Sequence, residues 1–372
     1  MKKKKIEVIT LHRIVNYGSV LQAYATQYIM EKIGFNVEFV DYYPERMHIL
    51  GMLKRIKGKN EKLKKSFLLR TLARIIIFPS YLKRFYVFKK FIKEKLNLSK
   101  TVYKTKEQLE RDVPQADFYC TGSDQVWNTG WNEKIDEPFF LNFAPKDKIC
   151  FSYASSFGKS QLEEWEKKKT KELLGKYKYL AMREKSGVQI LNDLGIKEGI
   201  NVLDPTLLLT KDDWNSLISD KYKNKKYIFM YNINRNAKLD EYAKKLSKNK
   251  KIPVITVSYQ FHDFFKFGKV KVNPKVQDFL SLIANAEYVL TDSFHCTAFS
   301  INFNKNVLIA YPEKFSTRLA SIVEITGLTN RVIDDYDDIS ICERNINFDY
   351  ANEQLEKERD KSIQYIKMCT EI

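Results

Sequence analysis

The sequence predicts an α/β protein of two Rossmann-like domains that face each other across a cleft, with a basic helical insertion in the first domain. The chain opens with an apolar strand, a turn, a helix and a second strand, as a parallel sheet does. The same alternation resumes after residue 106, and a second series follows residues 204–206. The 372 residues also exceed what one hydrophobic core usually holds.

Apolar runs and helical spacing define the elements of each series, taken in chain order. The first series has predicted strands Ile6–Leu11, Val37–Val40, Asp117–Thr121, Ile149–Ala154, Tyr179–Met182 and Asn201–Leu203, and helices Val20–Ile33, Gln161–Leu174 and Ser186–Leu194. The second has predicted strands Tyr227–Ile233, Ile252–Val257, Tyr288–Thr291 and Val307–Ala310, and helices Ala237–Leu246, Val276–Ala286, Thr297–Phe303 and Thr317–Thr326. We therefore expect domains at 1–209 and 210–348, an insertion at about 45–106, and a closing helix, Ala351–Cys369, within 349–372.

Positive charge is concentrated in one segment of the chain. The net charge is +18, and residues 54–106 alone hold 18 Lys and Arg against two acids. The rest is nearly neutral, which argues against a nucleic-acid-binding protein. Within the segment, aromatic and aliphatic residues alternate with basic ones. This pattern predicts amphipathic helices packed on the first domain with a solvated basic face, or a surface that meets anionic lipid.

Several classes of site lack their residues. The chain has no dinucleotide-binding, P-loop, serine-hydrolase or zinc-protease motif. Its five cysteines are scattered and it has only four histidines, so neither a structural zinc site nor a disulfide framework is expected. Cys120, Cys150 and Cys296 are predicted to be small buried residues. No run is apolar enough to span a bilayer and the start has no uninterrupted apolar segment, so we expect a cytoplasmic protein.

Ligands of parallel sheets bind at the carboxyl ends of the strands, so the turns there are the candidate sites. Asp292-Ser-Phe-His295 leaves a strand and enters a helix, whose free N–H groups suit a phosphate or carboxylate. His295 could donate to that anion or protonate a substrate. The alternative is that Asp292 and Ser293 cap the helix and that His295 is only packed.

Two arginines could bind the same kind of anion. Arg183 ends a predicted strand, and a guanidinium there binds carboxylate or phosphate through two parallel hydrogen bonds. The alternative is an intramolecular pair with Glu184. Arg318 has the same two interpretations at the start of its own helix.

The loop Thr121-Gly-Ser-Asp-Gln-Val-Trp-Asn128 combines a carboxylate, two amides and an indole. Such a mixture suits a sugar, whose hydroxyls need polar partners and whose ring packs on aromatic faces. The alternative is a structural loop in which Asp124 caps the backbone. Asn16-Tyr-Gly-Ser19 is a weaker candidate, in which Gly18 would let a ligand approach the backbone closely.

Six motifs in order resemble the polysaccharide pyruvyl transferase family, over about residues 6–335. They are Asn16-Tyr-Gly-Ser-Val-Leu-Gln-Ala-Tyr-Ala25, Gly122-Ser-Asp-Gln-Val-Trp-Asn128, Ser152-Tyr-Ala-Ser-Ser-Phe-Gly158, Arg183-Glu-Lys-Ser-Gly187, Leu203-Asp-Pro-Thr206 and Asp292-Ser-Phe-His295. The resemblance implies a glycosyltransferase-B-like fold and phosphoenolpyruvate as donor. It also implies an acceptor sugar of a surface polysaccharide or of its lipid-linked precursor, with a cyclic pyruvate ketal and phosphate as products.

The resemblance also implies roles for the candidate residues. His295 and Asp124 are the candidate catalytic residues, as proton donor or phosphate partner and as base on the acceptor side. The donor would be bound by Arg183, Ser293, His295 and Arg318. The acceptor would be bound by Asn16, Tyr17, Gln125 and Trp127. Phosphoenolpyruvate is a co-substrate, and neither a cofactor nor a metal is expected.

Two other functions remain open at this stage. One is a glycosyltransferase of the same fold that uses a nucleotide sugar. The other is a non-catalytic, membrane-associated protein that binds carbohydrate. For each of these three functions we also expect peripheral contact with the inner face of an anionic membrane.

Overall fold

The computed structural model describes residues 3–55, 65–312 and 317–371. Two five-stranded sheets and one two-stranded extension carry the fold, and every strand pair in them is parallel. The strands of the first domain are β1 (Lys5–Ile9), β2 (Asn36–Tyr42), β3 (Leu98–Tyr103), β4 (Phe118–Thr121), β5 (Ile149–Ser152), β6 (Leu180–Met182) and β7 (Gly199–Asn201). Those of the second are β8 (Ile228–Tyr231), β9 (Val254–Ser258), β10 (Lys269–Val272), β11 (Tyr288–Thr291) and β12 (Asn306–Ile309).

The two sheets have the same strand order. The first runs β3-β2-β1-β4-β5 and the second runs β10-β9-β8-β11-β12. In each sheet the direction of winding reverses beside the first strand, between β1 and β4 or between β8 and β11. Ligands of such sheets bind in the crevice at this reversal, outside the carboxyl ends of the strands. The fold therefore directs attention to the turns that follow these four strands.

β4 and β8, interior strands of the two sheets, are buried along their whole length, because helices cover both faces. The first-domain helices are α1 (Tyr17–Ile33), α2 (Ile49–Lys54), α3 (Phe67–Lys95), α4 (Lys106–Arg111), α5 (Thr129–Asn132), α6 (Glu164–Leu174), α7 (Lys185–Asp193), α8 (Pro205–Leu208) and α9 (Lys211–Asn215). The remaining helices are α10 (Ala237–Lys250), α11 (Val276–Ala284), α12 (Phe294–Asn302), α13 (Thr317–Ile325) and α14 (Phe348–Cys369). Among the described residues, none of these helices is long and apolar enough to cross a bilayer.

Two strands were not predicted, and each lies at the edge of a sheet. β3 carries three polar residues in a row, Ser99-Lys-Thr101, and β10 alternates Lys with Val, with burial patterns that are mostly exposed or mixed. An edge strand needs few apolar residues because only part of it is covered. β3 lies inside residues 45–106, so the predicted insertion is not helical throughout. Residues 56–64 of that insertion lie outside the described residues.

The long basic helix α3 joins the two domains. It continues through Pro79, and its buried side chains are Ser80, Phe88, Phe91 and Ile92. Ser80 Oγ accepts a hydrogen bond from the backbone N–H of Phe261 in the second domain, at 2.8 Å. The guanidinium of Arg84 lies 3.9 Å from the ring centre of Tyr259. The insertion therefore packs on both domains, whereas the sequence predicted packing on the first alone.

The closing helix α14 returns to the first domain. Tyr365 donates a hydrogen bond to the carbonyl of Ser152 at 2.9 Å, and Ser362 Oγ accepts one from the N–H of Leu203 at 3.1 Å. Arg359 donates to the carbonyl of Leu207 and to the side chain of Asn302, one residue from each domain. α14 thus helps to fix the relative position of the two sheets.

Candidate active site

The turns at the two reversal points meet between the domains. α1 begins after β1 with Asn16 as its cap, whose side chain accepts from the N–H of Ser19. α12 begins after β11 with Ser293 as its cap, whose side chain accepts from the N–H of Cys296. Gly18 and His295 are in direct contact, because a Cβ at residue 18 would lie 2.2 Å from the Nδ1 atom of His295. Gly18 thus makes room for an imidazole of the opposite domain, where the sequence predicted a ligand.

Asp124 follows β4 and is fixed in place by its neighbours. Its backbone has a positive φ of 82°. Ser19 Oγ donates to one carboxylate oxygen and the N–H of Gln125 donates to the other, at 2.8 Å. Burial alone would raise the pKa of Asp124, but Arg183, His295 and these hydrogen bonds outweigh it, so the pKa lies below its ordinary value. Asp124 is therefore ionised at neutral pH and can accept a proton.

Arg183 follows β6 and is almost completely buried, with 1% of its side chain exposed. Its Nη1 donates to Asp204 at 3.1 Å and lies 3.7 Å from Asp124. Its Nε lies 3.7 Å from Glu184, beyond hydrogen-bond distance. Neither Nε nor Nη2 has a hydrogen-bond acceptor among the described residues. A buried guanidinium with two unused nitrogens is rare, because a buried donor without a partner costs about 1–3 kcal/mol.

Asp204 is the shared anchor of the site. It caps α8, accepting from the N–H of Thr206 at 3.0 Å and from its hydroxyl at 2.7 Å. Its other oxygen accepts from Ser123 and from Arg183, both at 3.1 Å, and lies 3.8 Å from the Nε2 of His295. Burial would raise the pKa of Asp204, but His295, Arg183 and Thr206 lower it below its ordinary value. A fixed, ionised Asp204 therefore orients Arg183 and lies close to His295 without a hydrogen bond to it.

His295 keeps 16% of its side chain exposed, and its Nε2 has no hydrogen-bond partner among the described residues. Burial lowers the pKa of His295, and Arg183 and Arg318 lower it further. Asp204 and Asp124 act in the opposite direction without reversing the shift. The ring is therefore neutral at pH 7, and a bound anion would favour its protonated form.

Arg318, on α13, lies near Arg183. The guanidinium groups of Arg183 and Arg318 lie 5.6 and 5.9 Å from the ring centre of Phe294. Burial and the charge of Arg183 lower the pKa of Arg318 to about 10, so it stays protonated at neutral pH. The structure therefore brings together four predicted residues, Asp124, Arg183, His295 and Arg318, with Ser293 capping the helix that carries His295.

Two predicted acceptor residues lie in the core instead. Trp127 is 2% exposed, donates from its Nε1 to the carbonyl of Phe139, and stacks on Phe140. Tyr17 is 1% exposed, stacks on Phe279 with ring centres 4.0 Å apart, and donates to the carbonyl of Pro274. Neither ring offers a face to a ligand, because both rings are buried and pack against other aromatic rings.

The other polar residues of these loops have mainly structural partners. Gln125 accepts from Asn128, and Asn16 caps α1; both remain partly exposed. Asp292 accepts from the N–H groups of Ile233 and Asn234, and its burial raises its pKa. Asp292 thus holds the loop after β8, whereas the sequence had offered it as a cap of the helix that Ser293 caps.

Sequence reasoning missed three polar residues of the site. Asp204 and Ser19 lie inside motifs that the sequence singled out. Nothing in those motifs indicated that Asp204 would bind Arg183 or that Ser19 would bind Asp124. Glu184 was weighed only as a partner of Arg183. It is 2% exposed and accepts from Ser156, while its Oε2 has no hydrogen-bond partner among the described residues. Proximity in the fold, rather than residue type, identifies these three.

Metal ligands do not gather here or elsewhere in the described part of the chain. No three His, Cys, Asp or Glu side chains in residues 3–55, 65–312 and 317–371 are placed to hold a metal ion. The five cysteines are free and buried, which confirms the prediction for Cys120, Cys150 and Cys296.

Two Rossmann-like domains with polar groups at facing reversal points define a glycosyltransferase-B-like enzyme architecture, so the predicted fold class is confirmed. A family model, Polysaccharide pyruvyl transferase, matches residues 16–312. Because this is well over half of the chain, the protein belongs to that family, as its motifs predicted. It is therefore a member of a transferase family. None of the curated proteins compared with the chain matches it.

Solved structures similar to the chain include two epimerases. UDP-GlcNAc 2-epimerase from Methanocaldococcus jannaschii is 12% identical, with a TM-score of 0.51 and 100% of both chains covered. The epimerase from Neisseria meningitidis, solved bound to UDP-GlcNAc, is 10% identical, with a TM-score of 0.51 and 99% of both chains covered. The E. coli heptosyltransferase WaaC with ADP is 10% identical, with a TM-score of 0.41, 87% of this chain and 98% of that chain covered. At these identities the likeness shows the fold alone.

Proposed function

We propose that this protein transfers the pyruvyl group of phosphoenolpyruvate to two hydroxyls of a sugar, forming a cyclic ketal and releasing phosphate. The observation that carries the proposal is the buried guanidinium of Arg183, with Nε and Nη2 unused. Two adjacent nitrogens of a guanidinium match the two oxygens of a carboxylate or phosphate. Family membership supplies the reaction class. The two unused N–H groups of Arg183 supply a binding place for phosphoenolpyruvate.

Hydrogen-bond donors at the site, rather than its net charge, support an anionic substrate. Asp204, Asp124 and Glu184 surround Arg183, whose Nη1 pairs with Asp204. These carboxylates accept from Ser19, Ser123, Ser156, Thr206 and Arg183. Arg318 adds a second cation near Phe294, and the first N–H groups of α12 have no partner within the helix. Phosphoenolpyruvate carries both a carboxylate and a phosphate, so it could use two of these three donor groups at once.

The proposed proton transfers use His295 and Asp124. His295 is neutral in the free protein, and a phosphate beside it would favour the imidazolium, which then donates to the methylene carbon of the enol. The resulting cationic centre is attacked by one sugar hydroxyl, whose proton goes to ionised Asp124. The C–O bond to phosphate breaks, and the second hydroxyl closes the ketal. One of the two hydroxyl protons restores the proton that His295 gave to the methyl group. The other leaves with phosphate.

The acceptor side is proposed more broadly. Asn16 and Gln125 are partly exposed beside Asp124 and are the proposed acceptor-binding residues. Tyr17 and Trp127 act beneath them as packing residues. The acceptor class follows the family name: a sugar of a polysaccharide or of its lipid-linked precursor. The reaction takes place where such precursors are assembled, at the inner face of the membrane.

A thermal-shift screen tests the donor class. We expect phosphoenolpyruvate to raise the unfolding temperature, since a ligand at a hundredfold excess over its Kd stabilises by about 2.7 kcal/mol. UDP-sugars at the same concentration should have no effect. Stabilisation by UDP-sugars and not by phosphoenolpyruvate would overturn the proposal in favour of glycosyl transfer. Release of phosphate from phosphoenolpyruvate on addition of saccharides would then separate an active enzyme from a protein that only binds.

A further inference from the structure

Helix α3 presents an apolar face to solvent. Leu68, Leu72, Ile75, Leu82 and Tyr86 are between 49% and 76% exposed, and exposed Pro79 lies among them. They recur every three or four residues, so they form one face of the helix over five turns. We call these six residues the apolar stripe. The opposite face carries the buried Ser80, Phe88, Phe91 and Ile92.

The second domain extends this exposed surface. Phe264, Phe265 and Phe267 follow β9 and are 55%, 97% and 44% exposed. Tyr86 of the apolar stripe and Phe264 line the same groove between α3 and the second domain, so the two surfaces are adjacent. Phe261, which donates its N–H to Ser80, stacks with Phe264, with ring centres 5.9 Å apart. We call Phe264, Phe265 and Phe267 the aromatic loop. Soluble monomers rarely expose so many large apolar side chains on one side.

Positive charge surrounds these apolar residues. Residues 65–93 contain eight Lys and Arg and no acid. The groove between α3 and the second domain, of about 900 Å³, adds three lysines of the second domain, Lys221, Lys271 and Lys275, against two acids, Glu94 and Asp278. Apolar side chains ringed by cations match the headgroup boundary of an anionic bilayer, where the chains enter the acyl region and the cations meet lipid phosphates.

We propose that the apolar stripe and the aromatic loop form a surface that docks on an anionic membrane, with α3 lying in the membrane plane. A second copy of the chain is the poorer occupant, because two-fold self-association would bring like-charged helices together. The docking spans both domains, so it orients the cleft between them relative to the bilayer. This inference goes beyond the proposed reaction and does not depend on it.

Flotation with lipid vesicles tests the inference without any substrate. The wild-type protein should float with phosphatidylcholine vesicles that contain about one third phosphatidylglycerol, and not with phosphatidylcholine alone. A Leu68→Gln, Leu72→Gln, Ile75→Gln variant should bind at least about tenfold more weakly, since binding scales with buried apolar area. The matched control is Trp165→Gln with Met368→Gln, which changes exposed apolar residues outside this surface and should bind as wild type.

Unchanged binding of the triple variant, or no flotation of the wild type, would overturn the inference. A wild-type dimer in sedimentation that the triple variant abolishes would overturn it in favour of self-association. A single substitution gives an independent readout: Leu72→Trp fluorescence should be quenched by brominated lipid in the same vesicles, and Met368→Trp fluorescence should not. Equal quenching of the two variants would also reject the proposed orientation.

Discussion

The two domains each bury an arginine, and they use it in opposite ways. Arg331 of the second domain is fully buried, and each of its nitrogens donates a hydrogen bond. Its acceptors are the carbonyls of Val307, Ile341 and Arg344 and the side chain of Asn306. Arg183 of the first domain is as deeply buried, yet among the described residues only its Nη1 finds an acceptor, in Asp204.

The difference separates an arginine that stabilises the fold from one that we propose to bind a ligand. Arg331 ties β12 to the 3₁₀ turn Ile339–Glu343, and each of its three nitrogens has an acceptor. Arg359 on α14 is a second example, with its Nε, Nη1 and Nη2 all donating. Arg183 leaves two nitrogens without acceptors, and such donors are tolerated in native proteins when a bound group completes them.

The largest expected effect comes from the same substitution at both arginines. Arg183→Lys keeps the charge and removes the two-nitrogen fork, so we expect kcat/KM for phosphoenolpyruvate to fall about 10²–10⁴-fold, from two lost hydrogen bonds to an anion. Its unfolding temperature should change little. Arg331→Lys should leave the kinetics of the folded protein intact and lose about 1–3 kcal/mol of stability for each acceptor left without a donor.

Steady-state kinetics and denaturant unfolding on both variants measure the two effects. The phosphoenolpyruvate-dependent thermal shift should vanish for Arg183→Lys and persist for Arg331→Lys. The comparison fails if the two variants show the same pattern. A full thermal shift in Arg183→Lys would show that its unused nitrogens do not bind the donor.

Sequence patterns predicted the elements that have strong apolar periodicity. The central strands were placed within a few residues because both of their faces are buried. β3 and β10 were missed since these edge strands are short and half or more of their residues are polar. α3 was predicted as one or two helices, and its exposed face could not be predicted. Apolar residues occur on all sides of it, so the sequence does not say which side the two domains cover.

The site was predicted in part, for a related reason. Arg183, His295 and Asp124 follow strands, and parallel strands of one sheet end at one edge, so sequence position alone places them near a cleft. The contact between Gly18 and His295 depends on how one domain meets the other. The prediction for Trp127 was wrong. An indole in a polar loop can bind a sugar or pack in the core, and only its neighbours in the fold decide between the two.

A smaller effect is expected from the glycine beside the histidine. Gly18→Ala would place a methyl group against the imidazole, 2.2 Å from its Nδ1 in the present arrangement, so His295 or α1 must shift. Displacing a reacting group by about 1 Å can cost up to about 10²-fold in rate. We expect a fall of kcat about tenfold or more, with the thermal shift by phosphoenolpyruvate retained through Arg183.

Gly175→Ala is the matched control. Gly175 has right-handed helical backbone angles after α6, and its nearest neighbour to an added Cβ is a carbonyl 3.3 Å away. This variant should keep wild-type kcat. Wild-type kcat in Gly18→Ala would mean that the position of His295 against α1 does not matter for the reaction.

The smallest expected effect is a pH dependence that distinguishes His295 from the arginines. Burial lowers the pKa of His295, so the free protein holds a neutral ring at pH 7, and a bound phosphate should raise that pKa. Binding of phosphoenolpyruvate then takes up a proton, so its affinity should fall as pH rises, by at most about tenfold per pH unit. The measurement belongs between about pH 7 and pH 8.5, where a phosphate monoester stays a dianion.

Calorimetric titration in two buffers of different protonation enthalpy counts the protons taken up directly. The wild type should take up between zero and one proton, and His295→Gln, which keeps a polar side chain that does not titrate, should take up none. His262→Gln is the matched control, because His262 is about half exposed in the second domain and should leave the uptake unchanged. Proton uptake that survives in His295→Gln would assign the titrating group elsewhere. In that case the arginines alone would define the anion site, and a different residue would have to supply the proton for ketal formation.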